Sequence, residues 1–338
     1  MRSLILLLIC GVPLSATASW KEVRRKPVEW FNSDEAKSAA ANVLSWQTEK
    51  GDWPKNFDTF AESYDGQGDK PPGTFDNGAT VDEIRFLARM FNATGREEYR
   101  DAALRGLDHV IAAQYLSGGF PQKSPPGENY SRYITFNDGT TVNLLELMWE
   151  VANDRAYEFA GEDRRRVAGR MVQAGVRCIV VCQHQGKHGL TIWAAQYDER
   201  TLEPRPARAF EPVSLASAES AGILMFLMSF ENPSPEVVLA VEAGVNWFKN
   251  ARQRGIRLEK TDDDVKVVAD SNGPPVWARF HDLVTMQPLF AGRDGVVKHS
   301  LAEIEQERRT GYAWYGDWGA KVLREYPKWK KRIERNAE

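Results

Sequence analysis

Little in this chain announces a chemistry through the usual residues. It has three cysteines in 338 residues. One, Cys10, sits in an N-terminal apolar run. The others, Cys178 and Cys182, fall on consecutive turns of an expected helix, where a disulfide would close almost no loop. They are read as buried thiols, and no zinc pattern accompanies them. The five histidines show no metal-ligand spacing, because Gln185-Gly186-Lys187 interrupts any helix joining His184 to His188. There is no G-x-S-x-G and no phosphate-binding glycine loop. The formal net charge is only −3, so a general nucleic-acid or anionic-membrane binder is excluded. An attraction for anions has to come from a local cluster of arginines.

Long apolar runs are also missing. Leu4–Cys10 is too short to span a bilayer. With Arg2 before it and Ala16-Thr17-Ala18 after it, the segment reads as a signal peptide cut before Ser19. The mature chain is expected to be exported, to the periplasm or beyond, with no membrane partner. No low-complexity linker divides residues 19–338, which are read as one unit and as a monomer.

What is present is helical periodicity. Apolar spacing predicts helices near 34–48, 78–92, 96–115, 140–159, 163–183, 217–230, 235–252 and 317–337. Leu190–Ala194 has strand character, and 257–261 and 265–269 read as a β excursion. Six of the helices fall into three antiparallel hairpins, which predicts an all-α ring whose loops gather into a groove. The long loop Gly51–Gly73, with Trp53, Phe57, Phe60 and Tyr64 as candidate anchors, reads as functional rather than disordered.

Two hairpins open with nearly the same words. Thr74-Phe75-Asp76-Asn77-Gly78-Ala79-Thr80-Val81 returns as Thr135-Phe136-Asn137-Asp138-Gly139-Thr140-Thr141-Val142, with acid and amide exchanged. An Asp at a helix entrance is ordinarily an N-cap. Two such entrances at one end of a ring would instead gather hard oxygen ligands. Asp76 and Asp138 are therefore candidate Ca²⁺ ligands, with a bound carboxylate completing the six to eight oxygens that ion takes. Arg205, Arg208, Arg279 and Arg293 all sit in loop-like contexts, and a guanidinium fork suits carboxylate capture. Trp53, Trp193, Tyr197, Trp277, Tyr312, Trp314 and Tyr315 each read singly as core packing, and as a set they suit a sugar-binding groove.

Trp46–Asn56, Thr74–Thr80, Gly118-Gly-Phe-Pro-Gln122, Ile134–Gly139 and Ile192–Asp198 resemble the family-ten pectate lyases. So do Ala207-Arg-Ala-Phe-Glu-Pro212, Glu219-Ser-Ala221, Trp277-Ala-Arg-Phe280, Pro288–Gly295 and Gly311–Tyr315, in order along the chain. The resemblance implies an (α/α)₃ toroid and Ca²⁺-dependent cleavage of polygalacturonate by anti β-elimination. It implies Ca²⁺ at Asp76 and Asp138, Arg208 as the proton acceptor, and substrate binding by Asn77, Arg279 and Arg293. Neighbouring cations would favour a neutral Arg208. His281 stands where an aromatic is expected. An inverting glycoside hydrolase using Asp76 and Asp138 is the alternative, but it does not call for the arginines or the Asp-Asn doublets. A non-catalytic binder of acidic polysaccharide stands behind both.

Overall fold

The computed structural model describes residues 16–337, so nearly all of the expected signal peptide lies outside the described residues. Its helices are α1 Ala16–Val23, α2 Asp34–Trp46, α3 Val81–Thr94, α4 Glu97–Ala113, α5 Thr140–Asn153, α6 Gly161–Cys182, α7 Ser217–Leu227, α8 Pro235–Ala251, α9 Gln306–Thr310 and α10 Trp318–Ala337. Ser33 caps α2 as a hydroxyl should, accepting from the Ala36 N–H at 3.2 Å. The helix expected over 140–159 stops at Asn153 and resumes as a 3₁₀ turn, Arg155–Ala160. There the Asp154 carboxylate accepts from the Ala156 N–H, a local bond that competes with helix continuation. The β excursion is a hairpin, Ile256–Lys260 against Val265–Ala269. The expected strand 190–194 survives only as Gly189–Leu190 paired with Gln185–Gly186, plus a bridge from Ala194 to Leu215.

The hairpins α3/α4, α5/α6 and α7/α8 pack side by side in two layers. One layer is α3, α5 and α7; the other is α2, α4, α6 and α8. This is the (α/α)₃ toroid. The structure exposes an internal repeat that the opening motifs only hint at. In each hairpin the second helix turns a glycine toward an aliphatic side chain of the first: Gly106 to Ile84, Gly175 to Leu145 and Gly244 to Leu224. A Cβ on any of these glycines would lie within 2.8 Å of that side chain, so the pairs approach closely only because the glycine is bare.

A glutamine ends each of the first three outer-layer helices and sews it to the next. The Gln47 amide donates to the carbonyls of Gly51 and Ala102, Gln114 to Gly118 and Met171, and Gln183 to Thr191 and Ala240. Beyond each helix end comes a buried aromatic: Trp53, Phe120, Trp193 and, after the β hairpin, Trp277. The three indoles donate back to Val43, Ile179 and Phe248 in the preceding helix. One core runs through the helical layers.

A smaller core fills the sheet made by Leu215–Ala216, Phe280–His281, Pro288–Ala291 and Val297–Lys298, packing Phe280, Leu289, Phe290 and Trp314. His281 takes an aromatic's place there. Its buried ring meets Trp247 edge-on at 4.8 Å, and burial pushes its pKa down to about 4, so it packs as a neutral ring.

Candidate active site

Each repeated motif folds as one 3₁₀ turn ahead of a helix, Asp76–Gly78 before α3 and Asn137–Gly139 before α5. Neither aspartate caps the helix that follows. The N-cap positions are Thr80 and Gly139, without side-chain cap bonds. The motif threonines close the turns instead: the Thr80 hydroxyl donates to the Thr74 carbonyl at 2.9 Å and Thr141 to Thr135 at 2.8 Å.

The exchange of acid and amide now has a geometric meaning. The second residue of each doublet is left-handed, Asn77 at φ 55° and Asp138 at φ 51°, a conformation Asn and Asp tolerate better than other non-glycine residues. Asp76 and Asn137 are buried, while Asn77 and Asp138 face outward. One acid is thus presented from beneath and the other from the rim.

Backbone bonds bring the turns together. The Phe75 N–H donates to the Gln122 carbonyl at 2.9 Å, Phe136 to Ala195 at 2.8 Å and Ser217 to Arg279 at 2.8 Å. Gln122, Ala195 and Arg279 each lie two residues past the buried aromatic of the following repeat. Every turn is therefore fixed to its neighbour, and the two acid–amide turns touch. The Asp138 side chain keeps 35% of its surface exposed. The neighbours that cover the rest still desolvate its carboxyl and raise it above its ordinary value, and the charge of Asp76 adds to this; Arg279 and Arg208 pull it back. Asp138 also accepts from the Asn137 amide at 2.6 Å. One Asp76 oxygen, Oδ2, accepts from the Lys55 ammonium, while Oδ1 is buried without a partner among the described residues.

The arginines divide. Arg279 donates to Glu219 Oε1 and lies 3.8 Å from Asp138 Oδ1. Glu219, in the first turn of α7, has a side chain only 2% exposed. Arg208 is held by Glu211, with Nε to Oε2 at 2.7 Å and Nη2 to Oε1 at 2.5 Å. The Tyr312 hydroxyl donates to the same Glu211 at 2.8 Å, and the guanidinium lies over Phe210 at 4.7 Å. The hydrogen bonds from Arg208 to Glu211 hold its pKa above the ordinary value although burial opposes them. This corrects the expectation that neighbouring cations ease Arg208 toward neutrality: its closest charged neighbour is an acid.

Arg293 is not brought into the group. Its side chain is 63% exposed and paired with Glu307 at 2.9 Å, although its turn, at Gly295, passes Ala209 beside Arg208. Arg205 pairs with Asp198 at 3.2 Å.

Lys55, Glu211 and Glu219 are not singled out by the sequence as site residues, although Glu211 lies three residues from Arg208 and Glu219 opens one of the family segments. Tyr312 stands among the groove aromatics, but its bond to Glu211 comes from a separate element and shows only in the fold. Among the described residues no three His, Cys, Asp or Glu side chains cluster as a ready metal site. The site therefore has two acids, two arginines bound to acids of their own, and an open rim. That donor set suits an anionic ligand that shares a cation with the acids.

The model of the family described as pectic acid lyase matches residues 47–323. Two solved structures of a family 10 polysaccharide lyase from Cellvibrio cellulosa are 32% identical to this chain, each with a TM-score of 0.82. The match to one, a point mutant in complex with trigalacturonic acid, covers 93% of this chain and 96% of that one. The match to the other covers 96% and 98%. A search of curated proteins finds no match.

Proposed function

The chain belongs to the pectic acid lyase family and is a pectate lyase, and from this we propose a Ca²⁺-dependent anti β-elimination on α-1,4-polygalacturonate. One observation carries the reading. The turns that carry Asp76 and Asp138 touch, Arg279 lies 3.8 Å from Asp138, and the charges of Asp76, Arg279 and Arg208 all bear on Asp138, although the four come from separate parts of the sequence.

The residues fit a calcium ion. The Asp76 Oδ1 atom is buried and unpartnered among the described residues, and the Asp138 carboxyl is disfavoured as an anion by burial and by Asp76. Asp76 and Asp138 would hold the ion, which would give the unpartnered Asp76 oxygen a partner and offset the cost of charge on Asp138. Carboxylate oxygen is the donor Ca²⁺ prefers. When bound, Ca²⁺ supplies positive charge to the uronate carboxylate and to the anion that develops as C5–H breaks.

Arg279, beside Asp138, would take that carboxylate, and Asn77, exposed at the rim, would hydrogen-bond the sugar. Arg208 is the proposed acceptor of the C5 proton. The C5–H electron pair becomes the C4–C5 double bond, the C4–O bond breaks, and the departing oxygen takes a proton from water. Because Glu211 keeps Arg208 charged, its accepting form is populated only as the pH rises, so activity is expected to climb into the alkaline range.

Export through the segment 1–18 is part of the same reading. Amino-terminal sequencing of the secreted protein should begin at Ser19.

Absorbance of the unsaturated uronide tests the chemistry. Polygalacturonate should yield absorbing product, EDTA should stop it, and added Ca²⁺ should restore it. New reducing ends without absorbance, unaffected by EDTA, would make the enzyme a hydrolase instead.

A further inference from the structure

Lys55 plays no part in the steps above, yet its ammonium lies against the carboxylate proposed to hold the metal. Its place in the repeat is informative. Lys55 lies two residues beyond Trp53, as Arg279 lies two residues beyond Trp277, and both indoles are anchored to the preceding helix. Each of these positions delivers a cation to an acid of the site, Lys55 to Asp76 and Arg279 to Glu219 and Asp138. Arg279 is fixed by two acids and is 11% exposed; Lys55 has one partner among the described residues and is 39% exposed. A lysine also turns freely about its four-carbon stem.

Beside Lys55 opens a cleft of about 400 Å³, within the range of ligand sites. Phe57, Gln122, Lys123 and Tyr130 line it with Lys55, and no acidic side chain among the described residues does. The cleft adjoins the active site through its own wall: Thr74 accepts from the Asp76 N–H at 3.2 Å, and Lys55 meets the Asp76 carboxylate. Two ammonium groups, two aromatic rings and several amides with no carboxylate form a surface for an acidic sugar.

We propose that Lys55 binds the carboxylate of a uronate adjoining the sugar that is cleaved, in this cleft, and that its contact with Asp76 couples that site to the metal. The inference rests on the reading of the chain as a metal-dependent lyase acting on polygalacturonate. A divalent cation at Asp76 competes with the ammonium for one carboxylate and repels it. The freed side chain then has the cleft to turn into, where a sugar carboxylate takes the place of Asp76. Metal and substrate thus favour the same position of Lys55, and each helps the other to bind.

The two halves of this coupling move in opposite directions when the ammonium is removed. Lys55→Gln should bind Ca²⁺ more tightly without substrate, by about threefold or more, in calorimetric titration of the full chain. The same variant should raise KM for trigalacturonate by about tenfold with a smaller change in kcat. Lys55→Arg, which keeps the charge, should stay near wild type in KM. Thermal melting of both variants checks the fold, which this half-exposed side chain does not support. Unchanged Ca²⁺ affinity and unchanged KM in Lys55→Gln would overturn the proposal, as would both becoming weaker together. If the wild-type protein forms no unsaturated product, the lyase reading itself fails, and the calcium titration still reports whether Lys55 and the metal compete.

Discussion

Arg208 shows what a single residue owes to its neighbours. In sequence it is one arginine among prolines. In the structure it is bonded twice to Glu211, which Tyr312 bonds in turn, and it lies over Phe210. The grip fixes the direction of the guanidinium, and it also opposes deprotonation. Arg208→Ala is expected to lose nearly all turnover while melting as the wild type does. Glu211→Gln should separate the two effects. Looser positioning should lower kcat by about ten- to a hundredfold. The pH at which activity rises should move downward, because the group that holds the proton on Arg208 is gone. If the pH profile of Glu211→Gln does not move, Arg208 stabilises charge and is not the base.

At the scale of elements, the first turn of α3 joins stability to working pH. Glu83 is buried there, and one of its oxygens accepts from the Thr59 hydroxyl at 2.8 Å, tying the long loop Gly51–Gly73 to the helix. Burial, reinforced by Asp82, pushes the Glu83 carboxyl up to about 8. A carboxyl whose folded pKa lies above its unfolded value stabilises fully below about 4.5, and that stability is lost as pH rises through about 8. The enzyme is thus expected to weaken in the alkaline range where Arg208 works best. Glu83→Gln keeps the shape and the acceptor oxygen without titrating. Its melting temperature relative to wild type should therefore climb between pH 5 and 9. A constant difference across that range would mean that Glu83 is ionised in the fold.

The helices themselves were largely legible in the sequence, because apolar spacing follows from the helical period. Their ends were less so, since local acceptors such as Asp154 decide them.

Across the whole molecule, the site exists because three repeats close on one another. The contacts at Gly106, Gly175 and Gly244 close each hairpin, and the Gln47, Gln114 and Gln183 bonds hold successive repeats in register. That register sets the two acid–amide turns side by side. A ligand that bridges them should stabilise the entire fold. Saturating Ca²⁺ at a hundred times its dissociation constant should add about 2.7 kcal/mol. Calorimetry in Ca²⁺ against EDTA should show the rise in melting temperature, and Asp76→Asn or Asp138→Asn should remove most of it. A full rise in both variants would put the ion elsewhere.

The sequence by itself determined the helical hairpins, the doubled Asp-Asn motif, and Asp76, Asp138, Arg208 and Arg279 as candidates. All of these are local patterns or family words carried in order along the chain. It could not show that Arg293 pairs with Glu307, nor that Glu219, Tyr312 and Lys55 join the group. Those outcomes belong to the tertiary structure. They depend on how closely helices approach at three bare glycines and on which loop carbonyl receives each turn's N–H, and neither is written within reach of the residue it positions.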